Sequence, residues 1–261
     1  MKYKICACRM IELGSRRNQE DCIYPPLGGA CFVERLFILC DGLGGHERGE
    51  VASSVVCDTM SRFVLNHSSE EEIFRDDIFI QALAAAYDAL DFYDDDGDRK
   101  MGTTLAFLMI HAGGAFVAHI GDSRVYQIRP SRGDNPARIV FKTIDHSLVN
   151  DLVKAGELNT EDAKTFPHRN VITRAMMPHQ QIRSAADIAH LTDVQGGDYF
   201  FLCSDGILEH LVDEDLLFIL TKDGMTDNEK MEMVRQVTAD SKDNHSAHLV
   251  HILNNLSGMY T

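Results

Sequence analysis

Several wholly apolar stretches of this chain run straight into an aspartate. Phe37-Ile38-Leu39-Cys40 leads into Asp41-Gly42-Leu43-Gly44-Gly45, Phe200-Phe201-Leu202-Cys203-Ser204 into Asp205-Gly206, and Ala118-His119-Ile120-Gly121 into Asp122. Short apolar runs bounded by turn residues read as buried strands. A buried strand is a poor place to end on a carboxylate. An unpaired carboxylate is costly to desolvate, and several brought together repel one another. A divalent cation removes both penalties. The pattern therefore points to a carboxylate-built metal site, with a hydrolase as its expected user.

The chain has 261 residues, enough for one large core or two small ones. It contains no Pro/Ser-rich linker, low-complexity tract or internal repeat, so a single domain over 1–261 is expected. The net charge of -15 argues against a nucleic-acid surface, which would carry a basic stripe. A solvated acidic surface accounts for it most simply, although a basic partner would also suit it. The seven cysteines are odd in number, scattered among apolar runs and without a Cys-x-x-Cys pair. Reduced core thiols in a cytoplasmic protein fit that usage. The first residues, Met1 to Cys6, lack the apolar core of a signal peptide. No apolar run approaches the ~18 residues needed to span a bilayer, so no membrane partner is expected.

Periodicity gives a coarse element order. Residues 1–10 read as a strand, 14–19 as a loop, and 31–40 as one or two strands broken near Glu34-Arg35. Residues 48–65 and 70–92 have helical spacing, with Glu70, Glu71 and Glu72 at the second helix's start, where negative charge is favourable. Residues 103–111 and 115–128 are β-rich runs joined by a Gly113-Gly114 hairpin signal. Further strands are expected at 138–143, 182–190, 199–203 and 248–253, and helices at 147–155, 213–220 and 227–239. Strands come in runs and helices in pairs, which favours α+β with antiparallel sheets over a parallel doubly wound sheet.

Each candidate motif has an ordinary alternative. Asp41-Gly42 and Asp205-Gly206 are common turn pairs, and so is Asp243-Asn244 before the last strand. Two Asp-Gly turns after buried runs are harder to dismiss, and oxygen ligands of this kind suit Mg²⁺ or Mn²⁺ rather than zinc. A phosphate-loop reading of Gly44 to Gly49 fails, because Glu50 stands where lysine is required. Arg16, close to Glu20 and Asp21 in sequence, could clamp a phosphate through its planar fork, or form a surface ion pair. Asp94 to Asp98 breaks the EF-hand pattern at both ends and reads as a solvated acidic loop. The histidines show no paired ligand spacing; His46 and His146 lie near candidate site residues. Neither a Gly-x-Ser-x-Gly elbow nor a Cys followed six positions later by Arg occurs.

Taken in order, these segments resemble the type-2C, metal-dependent protein Ser/Thr phosphatases, the PPM family, in their bacterial form. The resemblance is carried by Gly14-Ser15-Arg16 with Glu20-Asp21, by Asp41-Gly42-Leu43-Gly44-Gly45-His46 and by Gly102-Thr103-Thr104. Gly121-Asp122-Ser123-Arg124, Asp145-His146-Ser147, His168-Arg169-Asn170 through Arg174, Ser204-Asp205-Gly206 and Asp243-Asn244 complete it. It implies an α-β-β-α sandwich, two antiparallel sheets flanked by pairs of helices, with a flap segment at about 146–176. It implies two Mn²⁺ or Mg²⁺ ions bridged by Asp41. The Gly42 carbonyl would contact one ion, Asp205 and Asp243 would bind the first, and Glu20 would hold the second. Asp122 would join Asp205 at a weaker third site, and Arg16 would bind the substrate phosphate. A water bridging the two ions would attack phosphorus directly, without a phosphoenzyme. The implied substrates are phosphoserine and phosphothreonine proteins of a Ser/Thr kinase signalling pathway, met by a monomeric cytoplasmic enzyme. Leu43 stands where some members place a histidine, and Met177-Pro178 where bacterial relatives often carry glycine. The alternatives are a non-catalytic phosphatase-like regulatory module and a small-molecule phosphatase.

Overall fold

The computed structural model describes residues 3–27, 34–43, 48–69, 72–94, 101–163, 166–167 and 171–253. The strands are β1 (Lys4–Glu12), β2 (Asp21–Tyr24), β3 (Leu36–Asp41), β4 (Leu105–His111), β5 (Gly114–Ile120), β6 (Arg124–Arg129), β7 (Arg138–Lys142), β8 (Asp187–Leu191), β9 (Tyr199–Cys203) and β10 (His245–Leu253). The helices are α1 (Gly49–His67), α2 (Asp76–Tyr93), α3 (Leu148–Lys154), α4 (Thr160–Ala163), α5 (Asp205–Leu208), α6 (Asp213–Leu220) and α7 (Asp227–Val237). Two five-stranded sheets form, in the orders β1-β10-β9-β6-β7 and β2-β3-β4-β5-β8. Every strand pairing is antiparallel.

The apolar runs are continuous rather than alternating because both faces of the central strands are covered. Phe37 and Leu39 of β3 point toward the other sheet and meet a layer containing Phe200, Leu202, Val250 and Ile252. Leu36, Ile38 and Cys40 point the opposite way, into a cluster with Val56 and Met60 of α1 and Phe79 and Leu90 of α2. On the first sheet's outer face, Phe201, Cys203 and Leu249 pack with Ile207, Leu216, Leu220, Met231 and Val234 of α5, α6 and α7. The result is the expected four-layer sandwich.

Several boundaries differ from the sequence expectation. The run 115–128 is two strands in different sheets, broken at Gly121, whose φ of 101° only glycine adopts readily. A Cβ there would lie 2.6 Å from Thr104 Cγ2. The second helix starts at Asp76 rather than Glu70. Phe74 is sunk among Phe107 and Phe116, so the chain stays extended until Arg75, and Asp76 and Asp77 supply the first-turn charge. Glu70 and Glu71 lie outside the described residues, as do Cys31 to Val33 and Asp95 to Asp98. The strand expected from Ile182 begins only at Asp187, Ile182 being 88% exposed. The last strand begins earlier, at His245. The four-residue strand β2 and the single turn α5 were not foreseen, being too short to show a period. No helix among the described residues is long and apolar enough to cross a membrane.

The expected flap leaves and returns at one place. His146 and Thr173 are joined by a Thr173 N–H donated to the His146 carbonyl at 2.8 Å, and Leu148 N–H donates to Val171 O at 2.9 Å. Ser147 caps α3 by accepting from Asn150 N–H. Met176 bridges to Thr103, closing the segment against the sandwich.

Candidate metal centre

The acidic residues come together because the strand registers align their ends. Asp21 opens β2 and lies directly across from Asp41, which closes β3. Strand β10 pairs with β9 so that Ala247 faces Cys203, which sets Asp243 and Asp205 beside each other just beyond the paired segment. Asp122 lies in the turn where the chain changes sheets. The Gly-Thr-Thr segment anchors Asp41: Asp41 N–H donates to Thr104 Oγ1 at 3.0 Å, while Thr104 N–H and Thr103 Oγ1 each donate to the Asp41 carbonyl at 2.9 Å. Thr104 Oγ1 also meets Ser123 Oγ at 2.7 Å, tying the Asp41 strand end to the Asp122 turn.

Gly42 is required by close approach. A Cβ there would collide with the Gly49 carbonyl at the start of α1 and lie 2.7 Å from the Glu20 carbonyl, which accepts the Gly42 N–H at 3.0 Å. Gly206 is similarly pressed against the Asn244 carbonyl. Asn244 sews the remaining pieces together. Its Oδ1 accepts Glu20 N–H at 2.8 Å and its amide donates to Leu13 O at 2.8 Å. The Asp-Gly and Asp-Asn pairs are therefore both turns and site formers.

Burial and mutual repulsion raise the carboxyl groups. Burial, then the charges of Asp21, Asp205 and Asp122, hold Asp41 well above the usual carboxylate range. Burial followed by Asp243 pushes Asp205 up to about 6. Asp21 and Asp122 are each pushed up to about 7, by burial first and Asp205 among their neighbours. Burial also raises Glu20, partly offset by Arg16. Arg16 Nη2 donates to Asp243 Oδ2 at 2.6 Å, and Glu20 and Asp205 also act on its guanidinium. The residues named from the sequence, Arg16, Glu20, Asp41, Gly42, Asp122, Asp205 and Asp243, thus share one end of the sandwich.

This set fits hard divalent cations. Oδ1 of Asp21 and Oδ1 of Asp122 are buried and accept no hydrogen bond, which is uncommon for carboxylate oxygens. The donors are oxygens, as Mg²⁺ and Mn²⁺ prefer. In the sequence Asp21 stands out only as part of the Glu20-Asp21 motif. The structure makes it a central member, with Oδ2 accepting from Ser204 Oγ at 2.9 Å. Its adjacency to Glu20 was the available signal, but its cross-strand partner was invisible. Asp145 was also missed in this role; it accepts both forks of Arg124 at 2.7 Å and raises Asp122. Of the two histidines singled out, His46 lies outside the described residues. His146 does not join the carboxylates. It backs the Gly121-Asp122 turn, and burial lowers its basicity.

Comparison with known proteins agrees with this architecture. The family model described as protein phosphatase 2C matches residues 33–254. The protein phosphatase PhpP of Streptococcus pneumoniae is 32% identical over 216 residues, covering 82% of this chain and 83% of that protein. The crystal structure of the Mycobacterium tuberculosis serine/threonine phosphatase PstP/Ppp superposes with a TM-score of 0.79 at 27% identity, over 96% of this chain and 100% of that one. The catalytic domain of the serine/threonine protein phosphatase PstP in complex with 2 manganese ions superposes with a TM-score of 0.74 at 26% identity, over 96% and 99% of the two chains. With a family match over most of its length and a fold shared end to end, the chain belongs to the protein phosphatase 2C family.

Proposed function

We propose that this chain is a single catalytic domain that hydrolyses phosphoserine and phosphothreonine in proteins, with Mn²⁺ or Mg²⁺ as cofactor. The observation that carries the reading is the gathering of Glu20, Asp21, Asp41, Asp122, Asp205 and Asp243 at one end of the sandwich, with Arg16 beside Asp243, Glu20 and Asp205 and with an oxygen each of Asp21 and Asp122 buried without a hydrogen bond. Asp41, Asp205, Asp243, Glu20 and the Gly42 carbonyl would hold two ions, and Asp122 with Asp205 a third. When bound, such ions polarise water into a nucleophile and neutralise charge on the phosphoryl oxygens.

The remaining chemistry belongs to the chain. Arg16 presents a planar fork of donors for two of the three non-bridging oxygens of a phosphomonoester. Asp243 holds that fork at the site, 2.6 Å away. Leu43 is apolar and donates no proton to the departing Ser or Thr oxygen; water is the donor proposed in its place, with His46 the alternative. No side chain need be phosphorylated. The described cysteines are thiols outside any disulfide, which supports a reducing, cytoplasmic setting opposite a Ser/Thr kinase, with the enzyme acting as a monomer.

The test is hydrolysis of p-nitrophenyl phosphate and of phosphoserine and phosphothreonine peptides, with Mn²⁺ and with excess chelator. We expect metal-dependent turnover of all three, abolished by chelation. Turnover of the aryl ester but not the peptides would favour a small-molecule phosphatase. No turnover of any substrate would favour a binding module. Arg16→Ala is expected to raise KM by about 10- to 100-fold, the loss of one or two charge-assisted hydrogen bonds, with a smaller change in kcat. An unchanged KM would remove Arg16 from phosphate binding.

A further inference from the structure

Beside the Gly121-Asp122 turn, a second polar cluster joins the stem of the flap to the sheet. His146 is only 5% exposed, and its backbone and side chain are both committed. Its N–H donates to the Gly121 carbonyl at 2.9 Å, and Gly121 N–H donates back to His146 Nδ1 at 3.1 Å. Its carbonyl accepts the Thr173 N–H that closes the flap stem. An amide can only donate, so Nδ1 must present its lone pair and the neutral ring must carry its proton on Nε2. Nε2 faces Asp187 Oδ2 at 3.4 Å, and Arg174 Nη1 donates to Asp187 Oδ1 at 2.9 Å. Both are donors converging on one carboxylate. Arg174 Nη1 also lies within hydrogen-bonding distance of Nε2, at 3.3 Å, but with the ring proton on Nε2 both atoms carry hydrogens and Asp187 is the acceptor they face.

The ring's orientation is fixed from two sides. It stacks on His119 with centroids 4.5 Å apart and planes at 13°. His119 is itself anchored through Nε2 to the Ile144 carbonyl at 2.8 Å and sits across the strand pair from Asp187. His119, His146 and Asp187 offer metal-capable atoms within 4.8 Å of one another. The nearly parallel rings do not converge on a shared point, however, and Arg174 already supplies the positive charge there. The cluster is a brace.

We propose that His146 is a positioning residue: by accepting the Gly121 N–H it sets the turn that carries Asp122, and by the same ring and backbone it fastens the flap stem to that turn. The flap stem and the turn that carries Asp122 are thereby tied to each other. Gly121 precedes Asp122 directly, and Asp122 neighbours Asp205 at the centre. This inference rests on the phosphatase reading given above. Mutation of outer-sphere partners of this kind typically costs about 10- to 100-fold in metal affinity.

Asparagine and glutamine separate the two halves of the imidazole. His146→Asn places an oxygen where Nδ1 was and can still accept from Gly121, but cannot reach Asp187. His146→Gln reaches toward Asp187 and leaves Gly121 without its acceptor. His146→Ala removes both. Hydrogen exchange at the Gly121 amide is measured in the wild type and all three, together with the Mn²⁺ concentration for half-maximal activity and KM and kcat for a phosphopeptide. The expected result is slow Gly121 exchange and near-wild-type Mn²⁺ dependence for the Asn variant. For Gln and Ala, Gly121 exchange accelerates and the half-saturating Mn²⁺ rises by about 10- to 100-fold. Unchanged Gly121 exchange in the Ala and Gln variants overturns the proposal, as does an Asn variant that behaves like Ala. A folded wild type without Mn²⁺-dependent turnover would end the phosphatase reading; the exchange comparison would still decide whether His146 holds Gly121.

Discussion

Asp205→Asn is expected to make the metal-free protein more stable at neutral pH while lowering turnover by about a thousandfold or more, some 4 kcal/mol of transition-state stabilisation. The two effects share one cause. Asp205 is buried beside Asp243 and Asp41, and its folded-state value rises to about 6 from an ordinary value near 3.8. A carboxyl group raised on folding binds its proton more tightly in the native state. Its favourable contribution is complete below the unfolded value and is lost as pH rises through the folded one. Above pH 6 the native protein therefore carries a buried charge worth about 3 kcal/mol of destabilisation. Asparagine removes that charge. It also removes one of the carboxylates proposed to hold a cation. Thermal melts at pH 7.5 should show a higher Tm for the variant in chelator, and a large Mn²⁺-induced rise for the wild type alone. Asp41→Asn should behave in the same direction. A variant that melts lower in chelator yet gains as much from Mn²⁺ as the wild type would contradict the assignment of these carboxylates.

Acid should destabilise the protein by a separate route, through a buried histidine on the last strand. His248 on β10 is completely buried, with Nε2 donating to the Ile38 carbonyl at 3.2 Å and Nδ1 without a partner. Phe37 meets its ring edge-on at 5.5 Å. Burial, followed by the nearby Arg9 charge, pushes its value down to about 3. The unfolded chain takes up this proton near pH 6.5, so stability is complete above that value and falls as pH drops toward 3. Between pH 7 and pH 4 the contribution of His248 alone is about 3 kcal/mol. His248→Leu cannot take up the proton. Guanidinium denaturation in chelator at both pH values should show the difference between them changing by that amount in favour of the variant at pH 4. An identical pH dependence in the two proteins would mean that His248 protonates inside the fold.

Much of the architecture was legible before any coordinates. Helices α1, α6 and α7 and strands β1, β4, β7 and β9 lie close to where periodicity put them, because local burial imprints a period on the sequence. The acidic centre was legible for a related reason. A carboxylate at the end of a buried apolar run is unstable on its own, so the pattern implied a compensating cation and hence a meeting point. The family resemblance added the order of the motifs and named the same residues. The features that the sequence does not reveal are non-local. The run 115–128 has one uninterrupted composition, yet it serves two sheets, since the break at Gly121 is a matter of backbone handedness and of Thr104 lying against it. Strand β2 has only four residues, and its existence depends on pairing with β3.

The sequence by itself determined most of the buried runs, the longer helices, and that Asp41 and Asp205 close apolar strands where a lone carboxylate is costly. Those properties depend on neighbours along the chain and on the cost of desolvating charge. Only the tertiary structure decided that Asp21 faces Asp41, that the chain changes sheets at Asp122, and that His146 receives the Gly121 amide. Such contacts join residues with no fixed spacing in sequence. They arise from strand register and sheet packing, which are settled by the whole core together.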